Sequence, residues 1–352
     1  MTKIGLIGAS GFIGLRTTEI FSAREDVALV PIVRAPSSLA VLARQPLAWR
    51  IAPFLEEAPL TAALQGCDVC VHAAIGDAAQ IVRMADVTYR ACAAAGVRRL
   101  VWLSSASVHG QNCATGTDES TPLRDDQPLV YNNAKVRAEW VLEKLARDRR
   151  VEVVRLRPGV VFGPRSRWIA DAAAELRAGR GCWLNAGRGV CNSIYVDNLV
   201  EAIRLACFAS EADGAFLVGD AEKVTWRDFL LPIARHLAFD ESAFVELPAP
   251  TFPPERESQS AAFTFVHPFV PDRAKRLVKA FLRAWPEPPP APTAWPLRPG
   301  TPIPRLTHEM SLLHQCAWKL PHAHAAQRLG YAPPISFAEG MRRSLAWLDF
   351  AT

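Results

Sequence analysis

Tyr131 and Lys135 stand four residues apart in Tyr131-Asn132-Asn133-Ala134-Lys135, and a helical pattern continues through Glu139-Trp140-Val141-Leu142. Residues at that spacing share one face of a helix. A free tyrosine, with a pKa of about 10, is a poor base at neutral pH. A neighbouring ammonium favours the phenolate and lowers that value. Serines end the apolar run Leu100-Val101-Trp102-Leu103-Ser104-Ser105, and a hydroxyl there can hold a substrate oxygen. Such a tyrosine moves a proton on or off a hydroxyl or carbonyl oxygen, which is half of a hydride transfer to or from a nicotinamide. The spacing Y-x-x-x-K is common by chance, so it carries weight only beside a dinucleotide site.

The chain opens on such a site. Lys3-Ile4-Gly5-Leu6-Ile7-Gly8 is an apolar strand ending in a glycine turn, and Phe12, Ile13, Leu15 and Ile20 begin a helical pattern. Strand, turn and helix N-terminus make the phosphate-binding start of a βαβ unit. Gly8 permits the sharp turn, Gly11 lets the backbone approach a pyrophosphate, and Gly14 lets helix and strand pack closely. Free N–H groups and the positive dipole end at the helix N-terminus attract phosphate. Gly8, Ser10, Gly11, Phe12, Ile13 and Gly14 are therefore the expected cofactor contacts of this turn.

The second strand, Val27 to Val33, narrows the cofactor. An NAD site places an acidic residue at this strand end to accept from the ribose 2′-hydroxyl. Arg34 stands there instead, and its planar fork suits a 2′-phosphate. NADP is the expected cofactor, with NAD the alternative.

Further strands are expected near Trp49–Phe54, at Val69–Ala74, at Leu100–Ser105, at Val151–Leu156 and at Ala215–Val218. Helices are expected from Pro59 to Gln65, through Ala85–Ala95 to a stop at Gly96, and from a cap at Thr225 to about His236. Strands alternating with helices read as an α/β, Rossmann-type doubly wound parallel sheet with a smaller C-terminal substrate-binding region. Residues 1–160 would be mainly the cofactor domain and 161–352 mainly the substrate region, with 190–220 returning to the sheet. Residues 248–304 read as a proline-rich insertion with one amphipathic segment, Lys275 to Trp285, that would pack over the site as a lid.

Bulk properties exclude other classes. Half of the 352 residues are apolar and 21% are charged, as in a globular protein. The net charge of +5 is diffuse, without the basic, aromatic-interleaved stretch of a nucleic-acid binder. No apolar run reaches the roughly 20 residues that span a bilayer, and the first strand begins at Lys3 with no leader pattern before it. Eight scattered cysteines fit free thiols in a reducing, cytoplasmic setting. Cys67 and Cys70 lie in a strand, where a C-x-x-C redox pair is not expected. His322 and His324 have no neighbours with which to hold a metal, so none is expected.

The opening Gly8-Ala9-Ser10-Gly11-Phe12-Ile13-Gly14 resembles the extended short-chain dehydrogenase/reductase (NAD-dependent epimerase/dehydratase) superfamily. So do Ser104-Ser105-Ala106-Ser107-Val108-His109-Gly110, which is similar to S-S-x-x-V-Y-G, and the stretch from Arg157 to Pro164, similar to R-P-x-x-V-Y-G-P. Val196-Asp197-Asn198 and the tail from Leu329 to Pro333 complete the pattern, leaving 40–65 and 240–315 unmatched. The resemblance implies a catalytic set of Ser105, Tyr131 and Lys135, Ser105 being four before the aromatic position that His109 fills here. It implies cofactor contacts at Ala73, Ala74, Ser104, Lys135, Pro158 and Val160, and substrate contacts at Ser107, His109, Gly159 and Arg165. It also implies a small-molecule substrate and a homodimer through the helices flanking the tyrosine.

Departures from the pattern are as informative. No Gly-Asp follows the third strand. Ala106-Ser107 replaces the Asp-Glu pair of dehydratases, which disfavours water elimination. Cys191 stands where sugar-nucleotide enzymes carry an arginine, and Gly159-Val160 replaces the asparagine after R-P. The expected function is an NAD(P)-dependent alcohol dehydrogenase or carbonyl reductase, similar to sterol-dehydrogenase-like members. A nucleotide-sugar epimerase is the alternative, and a non-catalytic NADP-sensing protein a second, against which the intact Ser105, Tyr131 and Lys135 argue.

Overall fold

The computed structural model describes residues 1–43, 45–210, 212–255 and 304–351. The amphipathic segment Lys275–Trp285, and most of the proline-rich stretch, lie outside the described residues.

Seven parallel strands form the central sheet: β1 (Thr2–Ile7), β2 (Val27–Val33), β3 (Arg50–Ile51), β4 (Val69–His72), β5 (Arg99–Leu103), β6 (Glu152–Pro158) and β11 (Gly214–Val218). Their order is β11-β6-β5-β4-β1-β2-β3. The chain runs outward from β1 through β2 to β3, then crosses back to β4, so the direction reverses between β1 and β4. The carboxyl ends there form the crevice where such sheets bind ligands.

Alternation within the strands feeds two cores. Ile4, Leu6, Val69, Val71, Val101 and Leu103 face one side, against α1 (Phe12–Ser22) and α6 (Val196–Phe208). Ile7, Cys70, Leu100 and Trp102 face the other, against α2 (Glu57–Leu64), α3 (Ala78–Ala95) and α4 (Val130–Ala146). A strand buried on both faces reads as a continuous apolar run, as these do.

The smaller region gathers around Phe162, Tyr195, Trp226 and Phe229. It contains β7 (Val160–Phe162) paired with β10 (Ser193–Tyr195), β8 (Cys182–Leu184) with β13 (Val245–Leu247), and β9 (Val190–Cys191) with β12 (Val224–Thr225). Helices α5 (Arg167–Arg177), α7 (Trp226–His236), α8 (His308–Leu313), α9 (Ala323–Leu329) and α10 (Phe337–Leu348) complete it. The expected cap of α7 is a reciprocal box: Asp228 N–H donates to Thr225 Oγ1 at 3.1 Å, and Thr225 N–H to Asp228 Oδ2 at 2.9 Å.

Three expected elements differ in extent. The third strand is only Arg50–Ile51, because Pro53 has no N–H to continue the ladder. Helix α2 starts at Glu57, with Pro59 in the first turn, where a missing N–H costs nothing. Helix α3 starts at Ala78 rather than Ala85, because Asp77 accepts from Gln80 N–H at 2.9 Å and caps it there.

Candidate active site

The crevice opens into a cavity of about 970 Å3, running from the glycine turn to the smaller region. The turn has the shape of a cradle. Gly8 adopts φ 85°, and a Cβ on it would lie 2.7 Å from Ala74 N. A Cβ on Gly14 would lie 2.1 Å from Gly8 O, so only glycine lets α1 start so close to β1. Helix α1 has no side-chain cap and no acid in its first turn, leaving its N-terminal donors to the cavity. Gly8, Ser10, Gly11, Phe12 and Ile13 line the cavity, with Ala73 and Ala74 from the end of β4 beside them. These features fit a dinucleotide pyrophosphate.

Arg34, at the end of β2, is exposed and lines the same end of the cavity. Pro53, Phe54, Leu55 and Glu56 line it too. They occupy the turn after β3, where no Gly-Asp was found in the sequence.

Ser105 and Tyr131 both line the cavity, and a side-chain hydrogen bond joins them. Ser105, two residues past β5, caps the short turn after it, accepting from Ser107 N–H at 3.2 Å. Tyr131 lies in the first turn of α4. That end of α4 is fixed by Gln127, whose side chain donates to Val108 O at 2.8 Å and accepts from Asn132 Nδ2 at 2.9 Å. Lys135, one turn on, is buried, and its Nζ donates to Leu103 O at 2.9 Å while sitting 5.8 Å from the Tyr131 ring centroid. Burial depresses the Lys135 ammonium to about 8, against the pull of Glu139.

The phenol departs from expectation. Burial pushes Tyr131 up to about 12, a hydrogen bond with Ser105 opposes this, and the charge of Glu309 adds to it. The ammonium was expected to lower the phenol, but Lys135 spends its hydrogen bond on Leu103 O, so desolvation wins.

Several expected contacts turn away from the cavity. Ser104 is buried and donates to Glu139. Glu139 also takes two bonds from Arg157, at 3.0 and 2.6 Å, and Arg157 lies 3.0 Å from His109 Nε2. Burial would raise the Glu139 carboxyl, but Arg157 and Ser104 hold it below its ordinary value. Burial, with the Arg157 charge, depresses His109 to about 4, so the ring is neutral. Ser104 and His109, expected to touch cofactor and substrate, thus belong to a polar network with Glu139 of α4 and Arg157 of β6. Lys135, Pro158 and Gly14 also lie outside the lining, whereas Ser107, Gly159, Val160 and Arg165 are within it.

The sequence reading missed Gln111, Glu255 and Glu309, which line the cavity with Trp168 and Leu313. Gln111 Nε2 donates to Glu309 Oε1 at 3.1 Å, and burial raises the Glu309 carboxyl. Glu255 Oε2 accepts from Val130 N–H at 2.9 Å, supplying the cap that α4 otherwise lacks. No spacing marks these residues, since Glu255 and Glu309 both lie within the unmatched stretch 240–315. Glu139 did carry a signal: Tyr131, Lys135 and Glu139 recur every four residues on one face of α4.

The fold and site define a class, and comparison with known proteins agrees. Residues 4–219 match the NAD dependent epimerase/dehydratase family, and the chain belongs to that family. It is 22% identical over 303 residues to 3beta-hydroxysteroid-dehydrogenase/decarboxylase isoform 1 of Arabidopsis thaliana, covering 80% of this chain and 62% of that protein. The chain thus spans under two thirds of that relative's length. It is 26% identical over 272 residues to UDP-glucose 4-epimerase of Vibrio cholerae, covering 70% of this chain and 79% of the other. Among solved structures, DesIV (dTDP-glucose 4,6-dehydratase) from Streptomyces venezuelae, with NAD and TYD bound, superposes with a TM-score of 0.71 at 18% identity, covering 99% of this chain and 97% of that one.

Proposed function

We propose that this protein is an NAD(P)-dependent oxidoreductase that interconverts an alcohol and a carbonyl compound, working as a reductase with NADP. The observation that carries this reading is the pair Ser105–Tyr131 lining the same cavity as the glycine cradle. A nicotinamide cofactor bound there supplies or takes the hydride. Gly8, Ser10, Gly11 and the start of α1 would hold its phosphates, and Lys135 its ribose. Ser105 would hold the substrate oxygen by a hydrogen bond, and Tyr131 would give that oxygen a proton or take one.

At about 12, Tyr131 keeps its proton at neutral pH, which suits donation to a carbonyl oxygen as it becomes an alcohol. Cofactor choice rests on Arg34, a cation at the end of β2 with no acid beside it on that strand. Exchangeable NADP suits net reduction, whereas an epimerase retains one NAD and regenerates it. Trp168, Leu313 and Leu320 give the substrate end apolar walls, with Gln111 and Glu309 as its polar side. Residues 1–160 serve mainly as the cofactor domain and 161–352 mainly as the substrate region in this reading.

Tyr131→Phe is the decisive variant. It should lose at least a thousandfold in kcat for ketone reduction while binding NADPH as the parent does. Substantial turnover would remove Tyr131 from the mechanism. Arg34→Asp should weaken NADPH far more than NADH. Equal affinities before and after the change would end the NADP assignment. The likeness to UDP-glucose 4-epimerase supports a second reading. Nucleotide released from the purified protein separates the two: tightly held NAD without net turnover favours the epimerase.

A further inference from the structure

Cys113 and Cys316 are 203 positions apart in the chain, yet their Sγ atoms lie 3.8 Å apart. Both are buried, at 5% and 1% exposure. Cys113 is on the segment 110–117 that follows Ser105 and its turn, and Cys316 is just beyond α8. These two segments meet along a seam. Gln111 Nε2 bonds Glu309 Oε1 at 3.1 Å on one side of the sulfurs, and Trp318 Nε1 donates to Thr117 O at 2.9 Å on the other. The sulfurs therefore approach each other between two fixed points rather than by chance at a loose edge.

Their surroundings differ in a useful way. Cys113 lines the active-site cavity, whereas Cys316 does not. Cys316 sits behind it, with Asn192 Nδ2 at 3.6 Å donating toward its sulfur. The hydrogen bond with Cys113, and then the Trp318 backbone, hold the Cys316 thiol below its ordinary value, while the same bond to Cys316 and burial hold the Cys113 thiol well above its own, so the shared proton rests on Cys113. A second close pair, Cys70 and Cys92, is fully buried in the core between β4 and α3, and neither lines the cavity.

We propose that Cys113 and Cys316 form a reversible modification site, closed to a disulfide by a low-molecular-weight disulfide that enters through the active-site cavity. Cys113 meets the reagent and attacks one of its sulfurs, passing its proton across to Cys316, and one small thiolate leaves. Cys316, deprotonated again, then attacks Cys113 Sγ in the mixed disulfide and expels the second small thiolate. Two protein thiols lose two electrons and two protons, and the small disulfide gains them as two thiols. The sulfurs need to close from 3.8 Å to the roughly 2.05 Å of an S–S bond, within the reach of a side-chain rotation and a small shift of the 110–117 segment. The bridge would make the seam covalent and so fix one wall of the cavity. This proposal does not depend on the oxidoreductase reading, because it is read from thiols rather than turnover.

The test is to incubate the full chain with oxidised glutathione, unfold it, titrate the thiols and map the linked peptides. Of eight cysteines, two should be lost, and one linked peptide pair should join Cys113 to Cys316. Cys316→Ser should instead retain glutathione on Cys113, because nothing remains to resolve the mixed disulfide. Eight free thiols in the parent after treatment, or a bridge between Cys70 and Cys92 in place of this one, would overturn the proposal. So would a glutathione adduct in the parent as stable as that in Cys316→Ser.

Discussion

A phenol pushed up to about 12 is an acid held ready at neutral pH, and its neighbours set how firmly it keeps the proton. Desolvation is the largest influence, and Glu309 adds to it through a negative charge that disfavours a phenolate. Glu309 also lines the cavity with Gln111 as partner. Replacing it by glutamine removes the charge and keeps the shape. The Tyr131 pKa should then fall, so the alkaline limb of the reduction rate moves to lower pH and alcohol oxidation gains at neutral pH. Rates measured in both directions from pH 7 up to about 12, where this limb falls, read this directly. An alkaline limb that stays in place would show that Glu309 does not act on Tyr131.

At the scale of elements, the glycine turn is where sequence and structure agree most closely. An apolar run, G-x-x-G-x-x-G and a helical period mark strand, turn and helix in the sequence itself, because each glycine answers a local steric demand. Gly14→Ala puts that demand to a measurement. Helix propensity alone would favour alanine by about 1 kcal/mol. The new methyl, however, would lie 2.1 Å from Gly8 O, and overpacking of that kind costs about 1–3 kcal/mol or more. The clash should win: urea unfolding should show a net loss, and NADPH affinity should fall at least tenfold. Greater stability in Gly14→Ala would mean the turn is looser than it looks. Helix α4 was legible too, since the spacing of Tyr131 and Lys135 gains weight beside the glycine turn. Their electrostatics were not, because burial and the Leu103 carbonyl that captures Lys135 are tertiary facts. Ser104 and His109 show the same limit. Their positions in the motif were clear, but Glu139 and Arg157, which turn them from the cavity, come from other elements. Residues 40–65 were hard to read because β3 has two residues and the turn after it is held by Pro53.

At the scale of the molecule, the question is what fastens the smaller region to the sheet that carries the cofactor cradle. Arg16 of α1 forks onto Asp197 of α6 at 2.6 and 2.8 Å, and Arg343 of α10 reaches the same carboxylate at 3.4 Å. Those arginines are more than a third exposed, so each pair adds about 0–1 kcal/mol. Asp220, just after β11, is wholly buried and matters more. It accepts from Ser193 Oγ at 3.0 Å, Tyr195 N–H at 2.9 Å and Asn198 Nδ2 at 2.7 Å. Asn198 in turn exchanges two bonds with the backbone of Ile335, ahead of α10, at 2.7 and 2.9 Å. One carboxylate thus joins the last strand of the sheet, the return segment and the C-terminal helix. Asp220→Ala would strand three buried donors, each worth about 1–3 kcal/mol when left unpaired, so a total of at least about 3 kcal/mol is expected. Asp220→Asn keeps one acceptor in place and should lose less. Urea denaturation of both variants gives the comparison, with the midpoint falling further for alanine at unchanged slope. Equal losses for the two would show that the charge of Asp220, and not its acceptor geometry, ties the regions together.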